Sequence, residues 1–91
     1  MHYVVAYDVE EDRNRNHLAR LLLDYGDRVQ FSVFEMDLDA GEARTLADEA
    51  AQHIGPRDSL RFYPICAACR DRIEERGQSR VPPGGDSAFI V

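Results

Sequence analysis

The 91-residue chain has no tryptophan and only two cysteines, and all 11 of its basic residues are arginine, with no lysine. Two cysteines cannot build a disulfide framework, so the fold must stand on its own packing. No apolar run reaches the roughly 18 residues that a membrane span requires. The opening stretch, Met1-His2-Tyr3-Val4-Val5-Ala6-Tyr7-Asp8, lacks a basic leader segment and meets an acid early. It therefore does not read as a secretory signal, and a cytoplasmic protein without membrane attachment is expected. Excess positive charge is missing as well. Seventeen acids against 11 bases leave a net charge of −6, which argues against a protein that coats nucleic acid by bulk charge. Local phosphate contacts are still open to it. There is no P-loop, no GxGxxG and no Ser/His/Asp set, so nothing points to a nucleophilic enzyme.

What is present is the composition of one small globular domain, 44% hydrophobic and 31% charged. A core of this size gains from oligomerisation. Exclusive use of arginine suits bidentate recognition of phosphate or carboxylate; a GC-rich genome is the plainer explanation.

The run Tyr3 to Val9 is nearly all apolar and rich in β-branched and aromatic residues, the pattern of a strand covered on both faces. Glu10-Glu11-Asp12 suit a first helical turn. From Asp12 to Tyr25, Leu18, Leu21, Leu22 and Tyr25 recur at helical spacing, and Gly26 follows as a C-terminal cap. Arg28 to Leu38 reads as one bent strand or two short paired ones, with Val29, Phe31 and Val33 on the apolar face. Asp39 with Glu42 resembles a capping box. Ala43, Leu46, Ala47, Ala50 and Ile54 then mark a second helix closed by Gly55-Pro56. Ser59 to Cys66 is a further strand, which Pro64 pushes toward an edge or bulge. Arg70 to Arg76 is a helical turn or short exposed strand, and residues 81–85 form a loop. The apolar ending Ala88-Phe89-Ile90-Val91 is a strand in need of a partner edge. The order predicts an α+β, ferredoxin-like sandwich, β-α-β-β-α-β plus a C-terminal strand, with two helices on one sheet face. Residues 1–80 form the domain, and 81–91 the loop and terminal strand.

Asp8 is the first candidate for chemistry. A carboxylate ending an apolar strand is costly to bury. It holds a divalent metal or a water at the sheet edge, or else it caps the following helix or pairs with an arginine. One carboxylate is a poor magnesium site, but a two-fold dimer presents it twice. Arg13 and Arg20, seven residues apart on one helical stripe, and Arg15 beside the helix start could grip a phosphate backbone, or form a solvated face. Arg28 is a similar case. Cys66-Ala67-Ala68-Cys69 is a lone CxxC without a second ligand pair. His2, His17 and His53 complete no ligand set, so two ordinary half-buried cysteines are expected.

Tyr7-Asp8-Val9, Arg15-Asn16-His17 and above all Tyr25-Gly26-Asp27-Arg28-Val29-Gln30-Phe31-Ser32-Val33-Phe34-Glu35 resemble the CRISPR-associated Cas2 family, as does Leu60-Arg61-Phe62-Tyr63-Pro64-Ile65-Cys66. The resemblance spans about residues 1 to 80. It implies a ferredoxin-like fold and a symmetric homodimer whose C-terminal segment crosses onto the neighbouring protomer. It also implies that Asp8 faces its twin across the dimer axis as the metal-binding and catalytic residue, with Mg2+ or Mn2+ as cofactor. The activity it implies is metal-dependent endonuclease cleavage of single-stranded RNA or double-stranded DNA. The partner it implies is the CRISPR integrase subunit, Cas1, in spacer acquisition, where the dimer is a nucleic-acid-binding scaffold. A toxin-like ribonuclease of the same fold and a non-catalytic ferredoxin-like binding or redox module are the alternatives. Neighbouring genes separate the toxin from the adaptation protein, and the cysteines separate the redox module from both.

Overall fold

A computed structural model describes residues 1–77. The sequence-based terminal strand at 88–91, its crossing to a partner and the loop 81–85 lie outside the described residues. The elements run β1 (His2–Asp8), α1 (Asp12–Leu23), β2 (Asp27–Gln30), β3 (Val33–Asp37), α2 (Ala40–Ala51), β4 (Ser59–Ile65) and a short α3 (Ala67–Arg70). The four strands pair antiparallel in the order β2-β3-β1-β4. This is the ferredoxin-like arrangement of two interleaved β-α-β units. Pro64 is tolerated because β4 is an edge strand of the described sheet. No described helix is long and apolar enough to cross a membrane.

Strand parity decides which residues meet the helices. Val5 lies opposite Phe34 and Tyr3 opposite Met36, and these residues share a core with Leu18 and Leu22 of α1 and Leu46 of α2. Both helices therefore cover one face of the sheet. Val5, Leu18, Leu22, Phe34 and Leu46 are fully buried. The helical spacing read from the sequence is the spacing that does the burying, because i, i+4 neighbours share a face. Asp39 accepts from the Glu42 backbone at 2.7 Å while Glu42 Oε1 accepts from the Asp39 backbone at 3.0 Å, so α2 opens on a full capping box.

Three local expectations are corrected. Phe31 does not sit on the apolar face: it lies in the turn joining β2 to β3 and is 76% exposed. Phe34, paired with the core residue Val5 of β1, is the core aromatic instead. Gly26 does not adopt a left-handed cap conformation; among the described residues Gly77 alone has a positive φ. Its backbone N–H does reach the Leu22 carbonyl at 3.0 Å, but the demand for glycine comes from packing, since an added Cβ would meet Glu35 O and lie 2.5 Å from Met36 Cβ. The cysteines are not half-buried. Both are exposed, because the strand ends at Ile65 and the chain turns outward into α3.

The other face of the sheet carries His2, Val4, Ala6 and Asp8 from β1. His2 is 7% exposed. Its Nδ1 lies 3.0 Å from Asp37 Oδ1 and its Nε2 lies 3.0 Å from Glu35 Oε1. Arg70 reaches the second Asp37 oxygen at 3.4 Å. These contacts tie the start of β1 to β3 and to α3.

Candidate functional site

Asp8 is the last residue of β1, opposite Ser59 in the β4 register. Alternation turns Tyr7 and Val9 into the core, at 6% and 4% exposure, and leaves Asp8 exposed on the opposite face. The desolvation cost expected for an acid in a buried strand is thereby avoided. The two structural roles open to it are not taken. The N-cap of α1 is Glu11, and the nearby arginine Arg15 pairs with Asp12. Among the described residues, the Asp8 carboxylate has neither a hydrogen-bond nor an ion-pair partner.

The chain that follows Asp8 is held from two sides. Arg15 Nη1 donates to the Val9 carbonyl at 3.0 Å and to the Glu10 carbonyl at 3.2 Å. Asp58 Oδ1 accepts from the Glu10 backbone at 3.1 Å, and its Oδ2 accepts from the Gly55 backbone at 2.7 Å. Asp58 thus ties the loop before β4 to the loop after β1. Sequence reasoning missed it, although the string Gly55-Pro56-Arg57-Asp58 carries a recognisable signal, an aspartate poised to bond backbone in a turn. Asp58→Ala is expected to cost on the order of 1–2 kcal/mol, since two backbone donors lose their acceptor. Urea unfolding checks this, and an unchanged midpoint would show that water replaces the carboxylate without loss.

The four candidate arginines do not act alike. Arg13 and Arg20 are exposed on one stripe of α1, about 10 Å apart along the axis, and no partner engages either among the described residues. Arg15 is occupied by the backbone and Asp12. Arg28 lies beside Phe34, its guanidinium carbon 5.2 Å from the ring centroid and its Nε buried without a hydrogen bond among the described residues. It is pulled inward because it shares Phe34's register position on the helix-covered face. His17 sits between Arg13 and Arg20 on α1, and its ring is 5.5 Å from that of His53, edge to face. No local pattern signals that meeting, which tertiary packing creates where α1 and the end of α2 adjoin.

No group of three or more His, Cys, Asp or Glu side chains able to hold a metal occurs among the described residues. Asp8 offers magnesium a single carboxylate from this chain. Its free carboxylate oxygen is the donor chemistry this ion takes, and the ion needs only one or two carboxylates beside substrate phosphates and water.

Comparison with known proteins gives a consistent picture. The family described as "CRISPR associated protein Cas2" matches residues 1–73. The chain is 38% identical to the CRISPR-associated endoribonuclease Cas2 1 of Chloroflexus aurantiacus, with 100% of both chains covered. It resembles the crystal structure of Streptococcus pyogenes Cas2 with a TM-score of 0.76 and 35% identity, covering 85% of this chain and 100% of that one. A chain of a partial Cas6-RT-Cas1–Cas2 complex superposes with a TM-score of 0.73 and 33% identity, covering 81% of this chain and 82% of that chain.

Proposed function

The chain belongs to the CRISPR-associated Cas2 family, and from that premise we propose that it acts as a symmetric homodimer in spacer acquisition, as a magnesium-dependent endonuclease on single-stranded RNA or double-stranded DNA. The observation that carries the proposal is Asp8, an exposed carboxylate at the end of a core strand that takes neither structural role available to it. The name of the Chloroflexus relative, an endoribonuclease, supports the activity. The complex containing Cas1 and Cas2 supports an integrase partner.

Two copies related by a two-fold axis bring two Asp8 carboxylates to one site. The open sheet face, with Val4, Ala6 and Val33 only half covered, is the apolar surface that such pairing would bury. Magnesium, when bound, polarises a phosphodiester oxygen and makes a bound water more acidic. Asp8 supplies the charge that retains the ion. Asp58 and Arg15 hold the loop behind Asp8 so that the carboxylate keeps its place. Arg13 and Arg20 hold the phosphate backbone, and Arg28, half-buried over Phe34, shapes the adjoining strand. With a net charge of −6 per chain, that contact is local, and a basic integrase partner supplies the rest.

Cleavage of labelled single-stranded RNA and duplex DNA across a magnesium titration tests the nuclease. Cuts that depend on magnesium and stop with EDTA support it. Intact strands at every concentration leave a scaffold that binds without cutting. The arginine stripe has its own test: Arg13→Ala with Arg20→Ala is expected to weaken binding alike on all sequences. The slope of log affinity against log salt should fall by about 0.9 per lost contact on duplex DNA. An unchanged slope, measured by fluorescence anisotropy, would place the phosphates elsewhere.

A further inference from the structure

We propose that Cys66 and Cys69 form a reversible dithiol–disulfide site that exchanges with small peptide disulfides of the glutathione type. The site is independent of the nuclease reading, because none of the residues assigned to cleavage or phosphate binding contributes to it. It uses a motif that the proposed function leaves unused.

Both thiols are exposed and free. Cys66 is extended, with φ −68° and ψ 162°, and the chain then enters α3 at Ala67. The backbone bond from Arg70 to Cys66 closes one helical turn over this segment, which sets Cys66 and Cys69 a single turn apart. The residues between them, Ala67 and Ala68, are small. The turn is anchored rather than loose: Arg70 N–H donates to the Cys66 carbonyl at 2.8 Å, and the Arg70 side chain reaches Asp37 at 3.4 Å. Beside Cys69 lies an open cleft of about 520 Å³ lined by Asp71, Arg72, Ile73 and Glu74. There Arg72 offers a contact to one carboxylate of such a peptide, and Asp71 or Glu74 one to its amine.

The two thiols are not equivalent. The backbone N–H of Cys69, and then its thiol, lower the Cys66 pKa from the ordinary thiol value. The Cys66 sulfur in turn raises that of Cys69. Since the thiolate is the nucleophile, Cys66 attacks and Cys69 resolves. In the first step the Cys66 thiolate displaces one thiol from the oxidised peptide and forms a mixed disulfide. In the second, Cys69 loses its proton and attacks the Cys66 sulfur, releasing the second peptide thiol. One peptide disulfide is reduced to two thiols while two protein thiols become one disulfide, a two-electron exchange. In a reducing compartment such a bridge is transient and regulatory rather than structural.

The full-length chain, equilibrated with oxidised and reduced glutathione, tests this by thiol titration, intact mass and non-reducing gels. The expected result is loss of both thiols and of two hydrogens per chain, with unchanged gel mobility, reversed by dithiothreitol. Cys69→Ser should accumulate one glutathione adduct, at Cys66, and Cys66→Ser should form its adduct more slowly. Circular dichroism confirms that each variant is folded, as exposed positions allow. Three results would overturn the proposal: stable adducts on both cysteines without hydrogen loss, disulfide bridges between chains, or Cys66→Ser reacting as fast as Cys69→Ser.

Discussion

Asp8→Asn is expected to lower magnesium-dependent cleavage by about a hundredfold or more while leaving the fold intact. The amide keeps the shape of the side chain and removes its charge, so the change isolates retention of the ion from packing. In a two-fold dimer each substituted chain removes a carboxylate, so both are lost at once. The prediction is sharp because Asp8 is exposed and unengaged among the described residues. An exposed carboxylate without partners contributes little to stability, and a change within about 0.5 kcal/mol is expected. Cleavage rates at saturating magnesium, read beside a thermal melt, separate the outcomes. Loss of cleavage with an unchanged melt supports metal retention by Asp8. Undiminished cleavage would remove Asp8 from the chemistry. A large drop in melting temperature would instead give it a structural role that its surroundings do not show.

Gly26→Ala is expected to destabilise the domain by about 3 kcal/mol or more, a large share of the roughly 5–15 kcal/mol available to a small domain. An added Cβ would run into the Glu35 carbonyl oxygen and lie 2.5 Å from Met36 Cβ. The obstacle is backbone and the root of a buried side chain, neither of which can swing away. Relief requires β2 and β3 to separate, and β3 carries Phe34 and Met36 into the core. The melting temperature should fall by ~12–24 °C for a chain of this size. If glycine served there only as a flexible joint, the same substitution would stabilise by about 0.4–1 kcal/mol through the unfolded state. Calorimetry therefore distinguishes the two explanations by sign.

Both helices, the capping box and the first and last described strands were legible in the sequence because their signals are local. Leu18 and Leu22 recur at the period of a helix, and Asp39 and Glu42 satisfy each other's backbone within four residues. Asp8 was legible as a candidate because an acid closing an apolar strand is out of place by composition alone. Its function was not, because capping, pairing and ligation look identical until the positions of Glu11, Asp12 and Arg15 are known.

What the sequence determined by itself, then, is the order of elements, the helix faces and the family. Those follow from spacing along the chain, where each residue's neighbours are known in advance. The tertiary structure decided which side of the sheet each residue faces and what it meets there. The turn between β2 and β3 put Phe31 at the surface, and pairing with Val5 of β1 put Phe34 in the core. Pairing of β2 with β3 set Arg28 against Phe34 rather than in solvent. Packing of β2 against β3 made Gly26 a matter of contact instead of torsion. Asp58 reached across 48 positions to the backbone of Glu10. Each of these depends on a partner in another element, and strand parity turns a one-residue shift into a change of face.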